Sequence, residues 1–286
     1  MITVVVPTLG RPSLQSLLDV LAAQTAAASV EVEVVVVPHM GPAQARNFGW
    51  RAARHPWVVF VDDDVVPDPD WLETLVADLD VPDDVGGVQG RITVPLPADR
   101  RPTDWERSTA GLADGNWLTA DMAYRAKALA DVGGFDERFP AAYREDTDLA
   151  HRVRLAGWRL VRGRRRVTHP VRPESPWVSV RVQRGNADDA LLRHLYGPRW
   201  RTVLDLPPGR RGRHALVTAA AVTALVSRRL RPVALAVWAS GTAGFAWTRI
   251  APGPRTAREV TTMLVTSALI PPVAVAHWCR GWWRHR

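Results

Sequence analysis

Four apolar residues, Val58-Val59-Phe60-Val61, run straight into three adjacent aspartates, Asp62-Asp63-Asp64. A continuous β-branched and aromatic run of this length suits a strand buried on both faces. Carboxylates at its C-terminal end narrow the choice of fold, because ligands of open α/β sheets gather outside that edge. Three neighbouring carboxylates repel one another unless water, basic groups or a cation compensates. A divalent metal bridging phosphates would do so, and hard oxygen ligands favour Mn2+ or Mg2+. A solvated acidic turn, extended by Asp68 and Asp70, is the competing reading of the same residues.

Around this strand the first half alternates strand and helix signals, as a Rossmann-like sheet does. Residues 2–6 and 32–37 read as buried strands, residues 57–61 as the third. Leucines at 14, 17, 18 and 21 give residues 12–24 one apolar helix face. Residues 42–54, opening on a proline, and 71–78 read as further helices. The expected fold is α/β, a mostly parallel sheet flanked by helices. Beyond it come a strand at 86–92, a Pro- and Arg-rich loop to about Trp105, a turn at Gly133-Gly134-Phe135-Asp136 and a helix at 145–156 closed by Gly157. Residues 158–162 read as an edge-like strand leading to His169.

Charge divides the chain. Residues 1–150 hold 12 Lys+Arg against 24 Asp+Glu, residues 151–286 hold 25 against 5. A basic half serves nucleic acid, anionic lipid or an anionic substrate. Here it is interleaved with tryptophans and apolar stretches, which favours a membrane surface over nucleic acid. Residues 176–196 look amphipathic, and 215–227, 232–248 and 260–279 lack Lys, Arg, Asp and Glu. A spanning helix needs about 20 apolar residues; the last two stretches are borderline and the first is too short. The arginines at 249, 255 and 258 sit awkwardly in an outside loop, so interfacial helices are a live alternative. The single cysteine, Cys279, rules out an intrachain disulfide, and the N-terminus reads as a strand rather than a signal peptide. A catalytic domain over 1–205 and a basic, apolar, membrane-associated helical appendage over 206–286 are expected.

With these motifs in view, the chain resembles the family 2 glycosyltransferases of the GT-A fold over about residues 1–195. Val4-Val5-Val6-Pro7-Thr8 looks like that family's first strand and nucleotide-binding loop; Asp62-Asp63-Asp64 with Pro67 and Trp71 looks like its DxD motif and following helix. The resemblance implies that Pro7, Thr8, Asp62 and Asp63 lie on the donor side and that Asp64 coordinates a metal bridging the diphosphate. Arg46-Asn47 is similar to an Arg-Asn pair beside the nucleotide. On the acceptor side the order Asp121-Met122-Ala123-Tyr124-Arg125, then Gly133-Gly134-Phe135-Asp136-Glu137, then Arg144-Glu145-Asp146 is also similar. It implies Asp146 as general base with Glu145 beside it. It further implies His169 as a metal or diphosphate contact and Arg184, in Gln183-Arg184-Gly185-Asn186, on a segment that closes over the donor.

Two departures qualify the resemblance. Pro38-His39-Met40 stands where many relatives carry an aspartate that reads uracil, and Asp121 stands where an asparagine is common, so a different acceptor is expected. Trp105 and Trp117 are candidates for stacking on a sugar or lipid-linked acceptor. The run Arg162, Arg164, Arg165, Arg166 reads as a lipid-headgroup or solvated face. The expected activity is inverting, metal-dependent transfer from a nucleotide sugar to a glycan or lipid-linked acceptor at the cytoplasmic face of the membrane, in cell envelope glycan assembly. The alternatives are a non-catalytic membrane-anchored binding protein and a nucleotidyltransferase; the latter lacks a phosphate-gripping glycine-rich loop, since Thr8-Leu9-Gly10-Arg11 offers one glycine. No Walker A, GxGxxG, zinc-ligand or Gly-x-Ser-x-Gly pattern occurs, and basic charge alone is no warrant for a nucleic-acid partner.

Overall fold

The computed structural model describes residues 1–38 and 40–285. In chain order the elements are β1 (Ile2–Thr8), α1 (Ser13–Ala27), β2 (Val32–Pro38), α2 (Pro42–Ala52), β3 (Trp57–Val61), β4 (Val66–Pro67), α3 (Trp71–Asp78), β5 (Val85–Thr93) and α4 (Asp104–Ala110). Then follow β6 (Asp121–Arg125), α5 (Ala126–Val132), α6 (Glu145–Leu155), β7 (Arg159–Thr168), α7 (Val178–Arg181), α8 (Asn186–Tyr196), α9 (Trp200–Val203), α10 (Arg211–Val226), α11 (Arg231–Ile250) and α12 (Ala257–Arg284). They divide into two units: Met1–Pro95 with Thr109–Val171, and Leu96–Ser108 with the chain from Arg172 onward. Residues 172–205, expected with the catalytic domain, therefore cluster with the helical tail.

The first unit holds a seven-stranded sheet in the order β2-β1-β3-β6-β5-β7-β4. β1 is parallel to β2 and β3, and β5 to β7. β6 is antiparallel to both β3 and β5, and β4 to β7. The sheet is thus mixed, not mostly parallel. A parallel neighbour requires a crossover to the opposite end of the sheet, whereas the chain leaving β5 re-enters at the end where β5 stops, so β6 must run backward. Two strand readings also change. β2 is the sheet's edge, with Val34 and Val36 exposed and Val37 buried. β7 is ten residues long and lies inside the sheet between β5 and β4.

Alternation sends the strands' side chains to two separate cores. Val4, Val6, Val59 and Val61 pack with Leu17 and Leu21 of α1 and with Trp71, Leu72 and Leu75 of α3. Val5, Val58, Phe60, Met122 and Tyr124 pack on the other face with Ala43 and Ala45 of α2, Leu129 of α5, and Leu149 and Val153 of α6. Each fully buried Val or Phe contributes about 1.5–3 kcal/mol relative to exposure, so β3, buried throughout, is firmly held. Its rigid end delivers the three aspartates.

In the second unit α12 starts with Thr256, whose hydroxyl accepts the Glu259 backbone N–H. Among the described residues α12 is the one helix long and apolar enough to cross a membrane, with mean hydropathy 1.5 over its best window and 33% of that window buried. α11, expected as a second borderline span, does not qualify among the described helices.

Gly49 in α2 faces β1 so closely that a Cβ there would meet Val5 Cγ1 at 2.2 Å. On an exposed helix Gly→Ala gains about 1 kcal/mol. Here overpacking reverses the sign: Gly49→Ala is expected to lose about 1–3 kcal/mol in urea unfolding, and a gain would show that α2 does not seat on β1 this tightly.

Candidate active site

The end of β3 and the start of α6 meet through one guanidinium. Arg46, on α2 and 2% exposed, donates from Nη2 to Asp62 Oδ1 at 2.8 Å and from Nη1 to Glu145 Oε1 at 2.8 Å. Burial disfavours its charge, but Asp62 and Glu145 outweigh that and raise its pKa. Arg46 also stacks against the Phe135 ring, 5.7 Å from its centroid. Asn47 on the same helix holds the turn carrying Phe135: its Oδ1 accepts from Phe135 N at 2.8 Å and its Nδ2 donates to Phe135 O at 2.9 Å. Asn47 is thus occupied with that turn, in which Gly134 has φ +77° and a Cβ would lie 2.5 Å from Asn47 Oδ1.

α6 begins with a strained residue. Arg144 precedes it in the left-handed region at φ +79°, unusual for a residue with a side chain. Strain of this kind clusters at functional positions. Three acidic residues, Glu145, Asp146 and Asp148, occupy the first helical turn, where backbone N–H groups favour negative charge. Asp146 Oδ1 accepts the Thr147 N–H at 2.6 Å. Asp148 is buried and ion-paired with Arg152 at 2.7 Å, which makes it part of the helix's own packing. Burial pushes the Glu145 carboxyl up to about 8, with the Asp146 charge adding to the rise and Arg46 opposing it. Burial raises Asp146 as well, against its hydrogen bond from Thr147 and the Arg46 charge. Glu145 Oε2, Arg46 Nε and Tyr124 Oη are buried without a hydrogen-bond partner among the described residues, and such orphaned polar atoms are rare in a settled core.

A second group lies where β1 and β3 end together. Thr8 Oγ1 donates to Asp63 Oδ2 at 2.5 Å and Arg11 Nη1 donates to Asp63 Oδ1 at 2.7 Å, while the same Arg11 nitrogen lies 3.4 Å from Asp64 Oδ2. Asp63 is 2% exposed, so it fastens the loop after β1 and does not reach outward to a donor, as had been expected. Arg11, unassigned in the sequence reading, supplies the positive charge that eases the aspartate run. Pro7 is half-buried within β1 and pairs with Val37 of β2.

His169 arrives through the alternation of β7, which turns Gly163, Arg165, Val167 and then His169 inward while Arg162, Arg164 and Arg166 face out. Its Nε2 stands 3.7 Å from Asp64 Oδ1 and its Nδ1 3.2 Å from Pro170 O. Nε2 is thus the ring nitrogen on the Asp64 side, and an imidazole beside a carboxylate is a pair that a cation can share. One imidazole and one carboxylate fit a divalent ion, Mn2+ more naturally than Mg2+. Among the described residues no cluster of three His, Cys, Asp or Glu offers a complete cage, so diphosphate oxygens and water would have to complete the coordination.

Two expectations are corrected by burial. Asp121 is 0% exposed; its Oδ1 accepts from Arg165 Nε at 2.8 Å and its Oδ2 from Trp71 Nε1 at 3.1 Å, so it is turned into the protein and not toward an acceptor. Arg165, read as a surface residue, has a fully buried side chain that also donates to Val88 O at 2.8 Å and pairs with Asp78 at 3.4 Å. Gly90 makes room for this knot, since a Cβ there would fall 1.9 Å from Asp121 Oδ2. Trp117, at φ +63°, is half-buried against the Phe60 and Tyr124 core, with its backbone N–H on Gln89 Oε1. Arg184, in the second unit, is exposed in a tight turn ahead of α8. Trp105, also there, donates its indole N–H to Arg172 O at 3.0 Å. His39 lies outside the described residues.

Comparison with known proteins bears on family and fold. Residues 17–144 match the family profile described as Glycosyl transferase family 2. The chain is 34% identical over 147 residues to the pre-mycofactocin glycosyltransferase of Mycobacterium tuberculosis, a stretch covering 46% of this chain and 31% of that protein. It therefore spans less than a third of that relative's length. A mannosyltransferase of Pyrobaculum calidifontis, solved in complex with GDP-Man and Mn2+, superposes with a TM-score of 0.52 at 17% identity, covering 100% of this chain and 88% of that one. At that identity the likeness is one of fold.

The Glu145 shift sets a pH dependence. Unfolded, the carboxyl titrates near its ordinary 4.5; folded, at about 8, so the fold retains a proton across that window. Its contribution is complete below about 4.5 and disappears as pH rises through about 8. Unfolding free energy measured in urea is expected to fall over that range, and to fall less steeply in Glu145→Gln. An unchanged slope would mean that Glu145 is not the group retaining the proton.

Proposed function

From the premise that this chain carries a glycosyl transferase family 2 domain, we propose that it moves a sugar from a nucleotide-sugar donor to an acceptor hydroxyl, inverting the anomeric centre and using a divalent metal. The acceptor is a glycan or lipid-linked molecule at the cytoplasmic face of the membrane, in the making of cell envelope glycan. Residues 1–205 are the catalytic region in this reading and 206–286 the membrane-associated one.

The observation that carries the proposal is the Arg46 bridge between Asp62 and Glu145. It holds the carboxylates at the end of β3, which suit a diphosphate and metal, beside the acidic start of α6, which suits proton abstraction. Asp62, Thr8 and Pro7 belong to the donor side, Trp117 to the acceptor side. In the transfer step the acceptor oxygen attacks the anomeric carbon opposite the leaving group, its proton passes to Asp146, and the nucleotide diphosphate departs with the electron pair of the broken bond. Burial serves this role by raising the Asp146 carboxyl above its ordinary range, which makes the carboxylate a stronger base. Glu145, held by Arg46, orients the helix start. Asp64 and His169 would hold Mn2+ or Mg2+, which when bound neutralises charge on the diphosphate.

The test is a panel of nucleotide sugars offered to purified, detergent-supported protein, with Mn2+ or Mg2+ and with EDTA, following nucleotide diphosphate release. One donor is expected to turn over in a metal-dependent way, and Asp146→Asn to lower the rate by about a hundredfold or more while thermal unfolding stays near wild type. Equal rates for wild type and Asp146→Asn would remove Asp146 as the base; no turnover of any donor would contradict the transferase reading.

A further inference from the structure

The helical unit contains a charged clamp that bears on how it meets a membrane. Arg249, at the end of α11 and 6% exposed, donates to Asp104 Oδ2 from Nη2 at 2.7 Å, to Thr266 Oγ1 at 2.8 Å and to Ser267 Oγ at 3.0 Å. Arg107 Nη2 donates to Arg249 O at 2.7 Å, and Glu259 Oε1 accepts the Asp104 N–H at 2.8 Å. Thr266 and Ser267 lie inside the uncharged stretch of α12, so a guanidinium and carboxylate are bound against the part of the helix that would enter hydrocarbon. Ionised groups at that depth are costly, and Asp104 sits in a segment that also carries Asp99, Arg100, Arg101, Glu106 and Arg107. Past Ser267 only residues 268–279 precede Arg280, about 18 Å of helix against a hydrocarbon core of about 30 Å. The far end of α12 is equally committed: Gly281 packs on the Ala187 backbone of α8 so closely that a Cβ would lie 2.5 Å from Ala187 O.

A different part of the unit exposes its apolar side chains. The corner joining α10 to α11 exposes Leu225 at 79%, Val226 at 77%, Leu230 at 52% and Val233 at 67%. Exposed apolar side chains so concentrated mark an interaction surface. Arg228, Arg229 and Arg231 are interleaved with them, all exposed. From there α11 continues an outward apolar stripe through Val237 and Trp247, the latter 63% exposed, while Ala234, Ala246 and Arg249 face inward. The stretch of chain itself is one-signed: residues 206–258 include nine arginines and not one Asp or Glu. Exposed apolar tips interleaved with arginines, in a stretch of chain without Asp or Glu, match the boundary between anionic headgroups and acyl chains.

We propose that the α10–α11 corner is a monotopic anchor, inserting Leu225, Val226, Leu230 and Val233 into the face of an anionic bilayer with Arg228, Arg229 and Arg231 on lipid phosphates, while α12 stays within the protein and does not span. This deepens the membrane part of the proposed function, and its test needs no donor or acceptor, so the two readings fail separately. The full chain is mixed with phosphatidylglycerol-containing vesicles or with phosphatidylcholine vesicles, floated on a density gradient, and washed with alkaline carbonate. Wild type is expected to float with the anionic vesicles and to be released by carbonate. Arg228→Gln with Arg229→Gln and Arg231→Gln is expected to weaken binding on the order of a hundredfold, and Leu225→Ser with Val226→Ser and Val233→Ser to abolish it, both variants keeping the wild-type thermal unfolding. Retention after carbonate would indicate a span and overturn the proposal. So would equal binding to both vesicle types, or binding unchanged by either variant.

Discussion

The first unit depends on a buried guanidinium. Arg46 is charged in an environment that penalises charge, and Asp62, joined by Glu145 once that carboxyl ionises, is what makes it tenable. Such a cluster has little net worth as stability, because desolvation offsets most of the Coulombic gain, but removing one member leaves an uncompensated charge that costs about 3–5 kcal/mol. What the cluster provides is position. Asp62 ends a strand that belongs to both cores, Glu145 begins a helix packed on one of them, and Arg46 holds them in register from a third element.

The same logic recurs at two other places. Arg165 between Asp121 and Asp78 ties β7 to β6 and α3, and the alternation that buries it also turns His169 toward Asp64. Arg249 between Asp104 and the hydroxyls of α12 ties the helical unit together. In each case the arginine's fork satisfies several acceptors at once, for which its planar donors are suited.

Much of this was legible from the chain. The run from Val58 to Asp64 announced a buried strand ending in a polar site because continuous apolar residues suit a strand with both faces covered, and α3 and β3 begin and end where their patterns do. What was not legible is what depends on distant partners. Strand direction beyond β3 turned on a chain segment that returns without a crossover, which local periodicity does not encode. Arg46 and Glu145 are separated by 99 positions, and Asp121 looked available for an acceptor because nothing local shows that Trp71 and Arg165 occupy it. Arg165 itself was hidden in a run of arginines; only period-two alternation, counted inward from Val167, separates it from Arg164 and Arg166.

The most direct test of the central claim is a double-mutant cycle between Arg46 and Glu145, using Arg46→Met, Glu145→Gln and the pair, on unfolding free energy above pH 8, where Glu145 is ionised. Coupling of about 1–3 kcal/mol is expected for two groups in one buried network. Effects that add to within about 0.5 kcal/mol would mean that the two side chains act independently, and the site would lose the bridge on which this account rests.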